Sequence, residues 1–206
     1  MNHTYANIAL TLLLWGIYFS LHSVLANVGI KTSIQRAMKW PERRYRMVYS
    51  AVAVITLLPV FYFLSTTRSD LLLRKGGFLQ YVSLAFSTWG IIVIKLALKG
   101  RVLGFLGFKN EPTDGGLNRK GLYRYCRHPL YLGTVLLCVG FWFFIPNVLN
   151  LVSILCVFLY LKIGIRLEET KLTEKYGDEY IRYMKEVPAV LPDLIRLLKS
   201  NQGGNS

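Results

Sequence analysis

Five apolar stretches, at about 8–25, 47–64, 78–98, 129–145 and 147–165, dominate the chain and leave it few possible folds. Crossing ~30 Å of hydrocarbon takes about 20 mostly apolar helical residues, because inside lipid only helices and closed barrels satisfy their own backbone hydrogen bonds. The last two stretches meet at Ile145-Pro146-Asn147, a turn so short that it predicts an antiparallel helical hairpin. The expected fold is all-α: a polytopic membrane protein with five transmembrane helices. It forms a single membrane domain over 1–206, with a three-span half (1–98), a second half (99–200) made of the hairpin and interfacial helices, and a disordered polar tail (201–206). No basic segment precedes the first stretch and no convincing small-residue cleavage site follows it, so it reads as a retained span.

Charge orders these spans. The 206 residues hold 25 Lys and Arg against 11 Asp and Glu, a formal charge of +14. A soluble nucleic-acid binder would also be basic, but here the basic blocks alternate with membrane-length apolar runs and the mean hydropathy is +0.36, so the partner is the lipid bilayer and not nucleic acid. Twenty Lys and Arg fall in the connections after the first, third and fifth stretches, against three (Arg68, Arg74, Lys75) on the opposite side. Cytoplasmic loops carry the basic excess, which places the N-terminus outside and the C-terminus in the cytoplasm. Lys95 and Lys162, near the cytoplasmic ends of their spans, can snorkel to the interface. Cys126, Cys138 and Cys156 form no CxxC, so neither a disulfide framework nor a zinc pattern is expected, and no metal site.

Two clusters could carry chemistry. In Gly121-Leu-Tyr-Arg-Tyr-Cys-Arg-His-Pro-Leu-Tyr131-Leu-Gly133, Pro129 suits the first helical turn, which puts His128 at the cap and Arg127 just before it. His128 and Tyr131 then lie about one turn apart and can face one pocket. The helix start, flanked by Arg124 and Arg127, suits a carboxylate or phosphate; the same residues also read as ordinary positive-inside cations. Gly133 and Gly140, on one helical face, suit close helix packing.

The second cluster is Arg166-Leu-Glu168-Glu169 at the end of the fifth stretch. Adjacent carboxylates at a membrane boundary need cations or water, so each has either a partner such as Arg127 or a solvated helix face. Seven of the eleven acidic residues lie from Glu168 to Asp193, with Tyr176, Tyr180 and Tyr183 among them at helical spacing. Beyond, Leu191, Leu194, Ile195, Leu197 and Leu198, mixed with Arg196 and Lys199, suit a short interfacial helix. His22 and Ser23, near the cytoplasmic end of the first span, read as a polar tie to a neighbouring helix. The three histidines do not pair as HxxxH, and neither GxGxxG, a P-loop nor a GxSxG elbow occurs, which removes histidine-caged iron, Rossmann, Walker and hydrolase-elbow chemistry.

Together, GLYRYCRHPLYLG and the later RLEETKLTEKYGDEYIRYMKEVP resemble the C-terminal half of the isoprenylcysteine carboxyl methyltransferase family and its phospholipid methyltransferase relatives, over about 116–192. LHSVLA at 21–26 and YRMVYS at 45–50 look more like the five-span branch that includes bacterial methanethiol S-methyltransferases and proteins linked to nitric-oxide reductase. The resemblance implies a membrane methyltransferase that uses S-adenosylmethionine, held by the 99–200 half, on a lipophilic or small thiol, carboxylate or amine acceptor. It implies donor contacts from Arg127, His128, Tyr131, Glu168 and Glu169, closure by Tyr180 and Tyr183, and His128 or Glu169 as a base where the acceptor must lose a proton. It also implies a bacterial or archaeal inner membrane with the site at the cytoplasmic face. A sterol-reductase-like NADPH enzyme, sharing a related hairpin, and a non-catalytic accessory protein are the alternatives.

Overall fold

A computed structural model describes residues 2–98 and 116–191. Among these residues the chain is helical and contains no strand: α1 (Asn2–Ala26), α2 (Val28–Met38), α3 (Glu42–Thr66), α4 (Phe78–Leu98), a 3₁₀ turn (Gly121–Arg124), α5 (Pro129–Phe144), α6 (Val148–Tyr176) and α7 (Asp178–Glu186). Four of them, α1, α3, α4 and α6, are long and apolar enough to cross a membrane. The remaining expected span, α5, is an apolar helix of 16 residues, about 24 Å long at 1.5 Å per residue. Prolines set its limits: Pro129 suits the first turn, and Pro146, just past the end, cannot continue the helix. Most of the basic connection at 99–115, the expected interfacial helix beyond Leu191 and the tail 201–206 lie outside the described residues.

The chain forms two compact units. Among the described residues, one comprises 2–77 and 144–157; its core is Trp15, Val60, Leu64 and Leu149, which joins α1, α3 and the start of α6. The start of α6 is tied to the segment before α4. Asp70 O accepts from Val148 N (3.1 Å), Ser69 Oγ from Leu149 N (3.2 Å) and Asn147 Oδ1 from Asn150 N (2.8 Å). These bonds satisfy the N–H groups that a helix start leaves without intrahelical partners.

Helix α2 is an addition to the sequence reading, which took this stretch as a connection. Its start is signalled by Asn27, whose Oδ1 accepts from Gly29 N and Ile30 N, and it ends where Lys39 turns left-handed at φ 52°. Glu42, the first acidic residue of the chain, gathers this basic region: Lys31 Nζ lies at 2.6 Å, Arg46 Nε at 3.0 Å and Gln35 Nε2 at 3.0 Å. His22 makes the helix-to-helix tie expected of it, with Nε2 2.7 Å from the Tyr49 hydroxyl.

The other unit comprises, among the described residues, 78–98, 116–143 and 158–191. Its α4 and α5 pack with Gly90, Gly133 and Gly140 at the closest approaches. The start of α5 lies beside Gly164, Glu168 and Glu169 of α6, the antiparallel arrangement that the short turn demands. This unit holds the candidate site.

Candidate functional site

The site begins with Pro129. Because it opens α5, His128 sits immediately before the helix with its side chain almost fully buried, 4% exposed. Its Nε2 lies 3.2 Å from Oε1 of Glu169, and its Nδ1 lies 3.5 Å from Oε2 of Glu168. A neutral imidazole has one N–H and can donate to only one of these carboxylates, whereas an imidazolium donates to both. The ring of Tyr131 stacks on His128, with centroids 5.4 Å apart and planes 23° apart. The Tyr131 hydroxyl reaches α6 at Gly164, lying 3.6 Å from where a β-carbon would stand. Gly164 and Glu168, one turn apart, thus present one face to Tyr131.

The two glutamates play unequal parts. Glu169, 20% exposed, receives both Nε (2.9 Å) and Nη2 (2.5 Å) of Arg127 on Oε1. Glu168 is 47% exposed, so it meets water as well as His128. Arg127 also donates through Nη1 to Met184 O (2.9 Å) and Val187 O. Beside it, Arg127 N bonds Pro188 O and His128 N bonds Ala189 O, each at 2.9 Å, so the chain after α7 lies along the start of α5 as a short extended strap.

Tyr180 and Tyr183 are buried on the inner face of α7, packed with Val187, Leu117 and Leu172. The Tyr183 hydroxyl donates to Tyr123 O at 2.5 Å, while the Tyr180 hydroxyl, on a residue only 1% exposed, has no hydrogen-bond partner among the described residues. The structure therefore brings together Arg127, His128, Tyr131, Glu168 and Glu169 directly, with Tyr180 and Tyr183 on the adjoining helix. Arg124 is exposed and outside this set. No group of three or more His, Cys, Asp or Glu among the described residues is placed to hold a metal ion.

Two contributors escaped sequence reasoning. Arg119, counted only as a charge, lies over the Tyr183 ring (5.2 Å) and donates to Glu179 O (2.7 Å). Gly177 opens α7 at φ 56°, a left-handed value that glycine adopts without steric cost; the YGDEY pattern carried that signal.

Burial makes this end of the unit sensitive to alkali. It pushes the Cys126 thiol from 9.0 up to about 11. Burial, then the Glu169 carboxylate, pushes the Tyr180 hydroxyl from 10.0 up to about 12. Unfolded, both groups release protons earlier than in the fold. Between about pH 9 and 12 the unfolded chain therefore binds fewer protons, and stability falls as pH rises. Thermal unfolding in detergent should show a midpoint level up to about pH 8.5 and falling above it, with a later onset in Cys126→Ala. A midpoint that rises above this point would contradict the burial of these groups.

The chain belongs to the DUF1295 family, described as proteins of unknown function, whose profile matches residues 3–187. It is 28% identical over 185 residues to a methanethiol S-methyltransferase of Pseudomonas deceptionensis, an alignment covering 85% of this chain and 69% of that protein. It is 26% identical over 195 residues to a methanethiol S-methyltransferase of Mycobacterium tuberculosis, covering 90% and 78%. A shorter match, 34% over 73 residues, joins it to the protein-S-isoprenylcysteine O-methyltransferase of Mus musculus, covering 35% of this chain and 26% of that protein. No solved structure matches.

Proposed function

We propose that this chain is a membrane methyltransferase that moves a methyl group from S-adenosylmethionine to a small thiol. The observation that carries the reading is the buried His128 held between two carboxylates and an aromatic ring at one end of the apolar α5–α6 hairpin. The relatives aligned over most of the chain bear a thiol-methylating name, and the prenylcysteine likeness is confined to about a third of it. That balance favours a small thiol over a prenylated one.

The residues suit such a donor. Glu168, half in water, offers a negative charge to an amino group, and the Tyr131 ring offers a face to a cation, an attraction of ~0.5–2 kcal/mol. The Tyr180 hydroxyl, buried without a partner, has the hydrogen-bonding capacity that a polar occupant would use. When bound, S-adenosylmethionine supplies an electrophilic methyl group and leaves as a neutral thioether. The thiol must lose its proton as its sulfur forms the new bond. His128 in its neutral form takes that proton, and Glu168 and Glu169 on either side stabilise the cation it becomes. Arg127, Glu169, Tyr180 and Tyr183 form the wall.

We place the donor in the 99–200 half and assign acceptor recognition to 1–98, the whole working as one membrane domain. The basic loops favour an outside N-terminus and a site at the cytoplasmic face, in a bacterial or archaeal inner membrane.

Calorimetry on detergent-purified protein, with S-adenosylmethionine, S-adenosylhomocysteine and NADPH in parallel, tests the reading. The two adenosyl compounds should bind and NADPH should not; binding of NADPH alone would overturn it. His128→Ala and Glu168→Ala should each weaken S-adenosylhomocysteine by about tenfold, or ~1.4 kcal/mol, and full affinity in both would mean that the pocket lies elsewhere.

A further inference from the structure

Resting on that reading of the pocket, we infer that Arg127 is a positioning residue and not a ligand of the donor: its guanidinium is the clasp that locks the α7 strap and Glu169 around His128. A guanidinium has five N–H donors. Here Nε and Nη2 give one each to Oε1 of Glu169, and Nη1 gives to the carbonyls of Met184 and Val187. One N–H is left, on a side chain 10% exposed. An incoming carboxylate could take the guanidinium in two-pronged fashion only by displacing Glu169 or the α7 carbonyls.

What the clasp holds cannot hold itself. Helix α7 has nine residues, below the length at which an isolated helix is stable in water, and it is joined to α6 through Gly177 at φ 56°. Its C-terminal end is fixed by Arg127 at Met184 and Val187, and the next two residues by the backbone N–H groups of Arg127 and His128. The same guanidinium fixes Oε1 of Glu169, the atom that His128 Nε2 faces. Arg127 therefore sets two walls at once: the orientation of the imidazole, through Glu169, and the seat of Tyr180, through α7. The negative end of the donor is recognised by other groups.

Arg127→Lys and Arg127→Met test this in two ways. In the ligand-free protein, hydrogen exchange followed over 121–130 and 176–191 should accelerate about tenfold or more in both segments, the scale of a lost charge-assisted hydrogen bond. Unchanged exchange in both variants would overturn the clasp. The second measurement is calorimetry with S-adenosylhomocysteine and with its carboxyl amide. A positioning role requires both probes to weaken by the same factor, about tenfold or more, at unchanged stoichiometry. Two results would overturn it: loss in the variants of a wild-type preference for the free acid, which would make Arg127 the carboxylate's partner, or reduced stoichiometry at unchanged affinity, which would make it a folding residue alone. If wild-type protein binds neither probe, the donor reading falls, and the exchange experiment still decides the clasp.

Discussion

Glu169→Ala is expected to lower stability by about 3 kcal/mol or more, the cost of leaving a partly buried charge without its partner. Arg127 would keep only the α7 carbonyls, which are dipoles and not charges, and His128 would lose the oxygen nearest its Nε2. Glu169→Gln keeps an acceptor but not the charge, so it should cost roughly half as much, within the range of a single charge-assisted hydrogen bond. Glu168→Ala removes a carboxylate that is half in water and should cost about 1 kcal/mol or less. Thermal unfolding of the three variants in one detergent checks the ranking. Equal losses at 168 and 169 would show that the pair acts as a solvated acidic face, the plainer reading of these two residues.

Gly140→Leu should do comparable damage on the neighbouring helix α5, at the end away from His128. A β-carbon at 140 would lie 2.3 Å from Ser87 Oγ, 2.8 Å from Ser87 N and 3.0 Å from Ser83 O. At Gly133 it would meet Ile94 Cγ1 at 2.5 Å and Gly90 O at 3.0 Å. Some of these contacts are backbone atoms of α4, which cannot swing aside, so α4 and α5 would have to separate along the seam. Overpacking of this kind costs about 3 kcal/mol at the upper end of its range. Gly16, inside α1 with nothing within 4 Å of its β-carbon position, is the control: Gly16→Ala should not lower the unfolding midpoint, since alanine favours a helix by about 0.5–1 kcal/mol over glycine. A tolerated Gly140→Leu would mean that α4 and α5 do not meet along these glycines.

The seam was partly legible in the sequence, because Gly133 and Gly140 stand on one helical face. Its other half, Ser83, Ser87 and Gly90 on α4, follows the same spacing and would have completed the pair. The contact between the Arg-His-Pro segment and the twin glutamates was also legible, since a turn at Ile145-Pro146-Asn147 can only bring the start of α5 to the far part of α6. The division of labour between the glutamates was not legible. It depends on which carboxylate Arg127 takes, and Arg127 is steered by the carbonyls of Met184, Val187 and Pro188, groups every residue carries and no motif records. Helix α2 was missed because its start is written in one asparagine. The fourth stretch was legible almost to its ends, since two prolines bound α5 at 16 residues, whereas the fifth runs on as α6 to Tyr176, past the apolar residues that marked it.

Helix α6 has 29 residues, about 43 Å at 1.5 Å per residue, against ~30 Å of hydrocarbon. If the N-terminal turn of α6 marks one edge of the oil, roughly nine residues stand clear of the other, and the glutamates come at the base of that projecting mast. A helix of that length would hold the His128 cluster just clear of the oil, where, on the proposed function, a charged donor and a small thiol could both reach it without crossing the hydrocarbon.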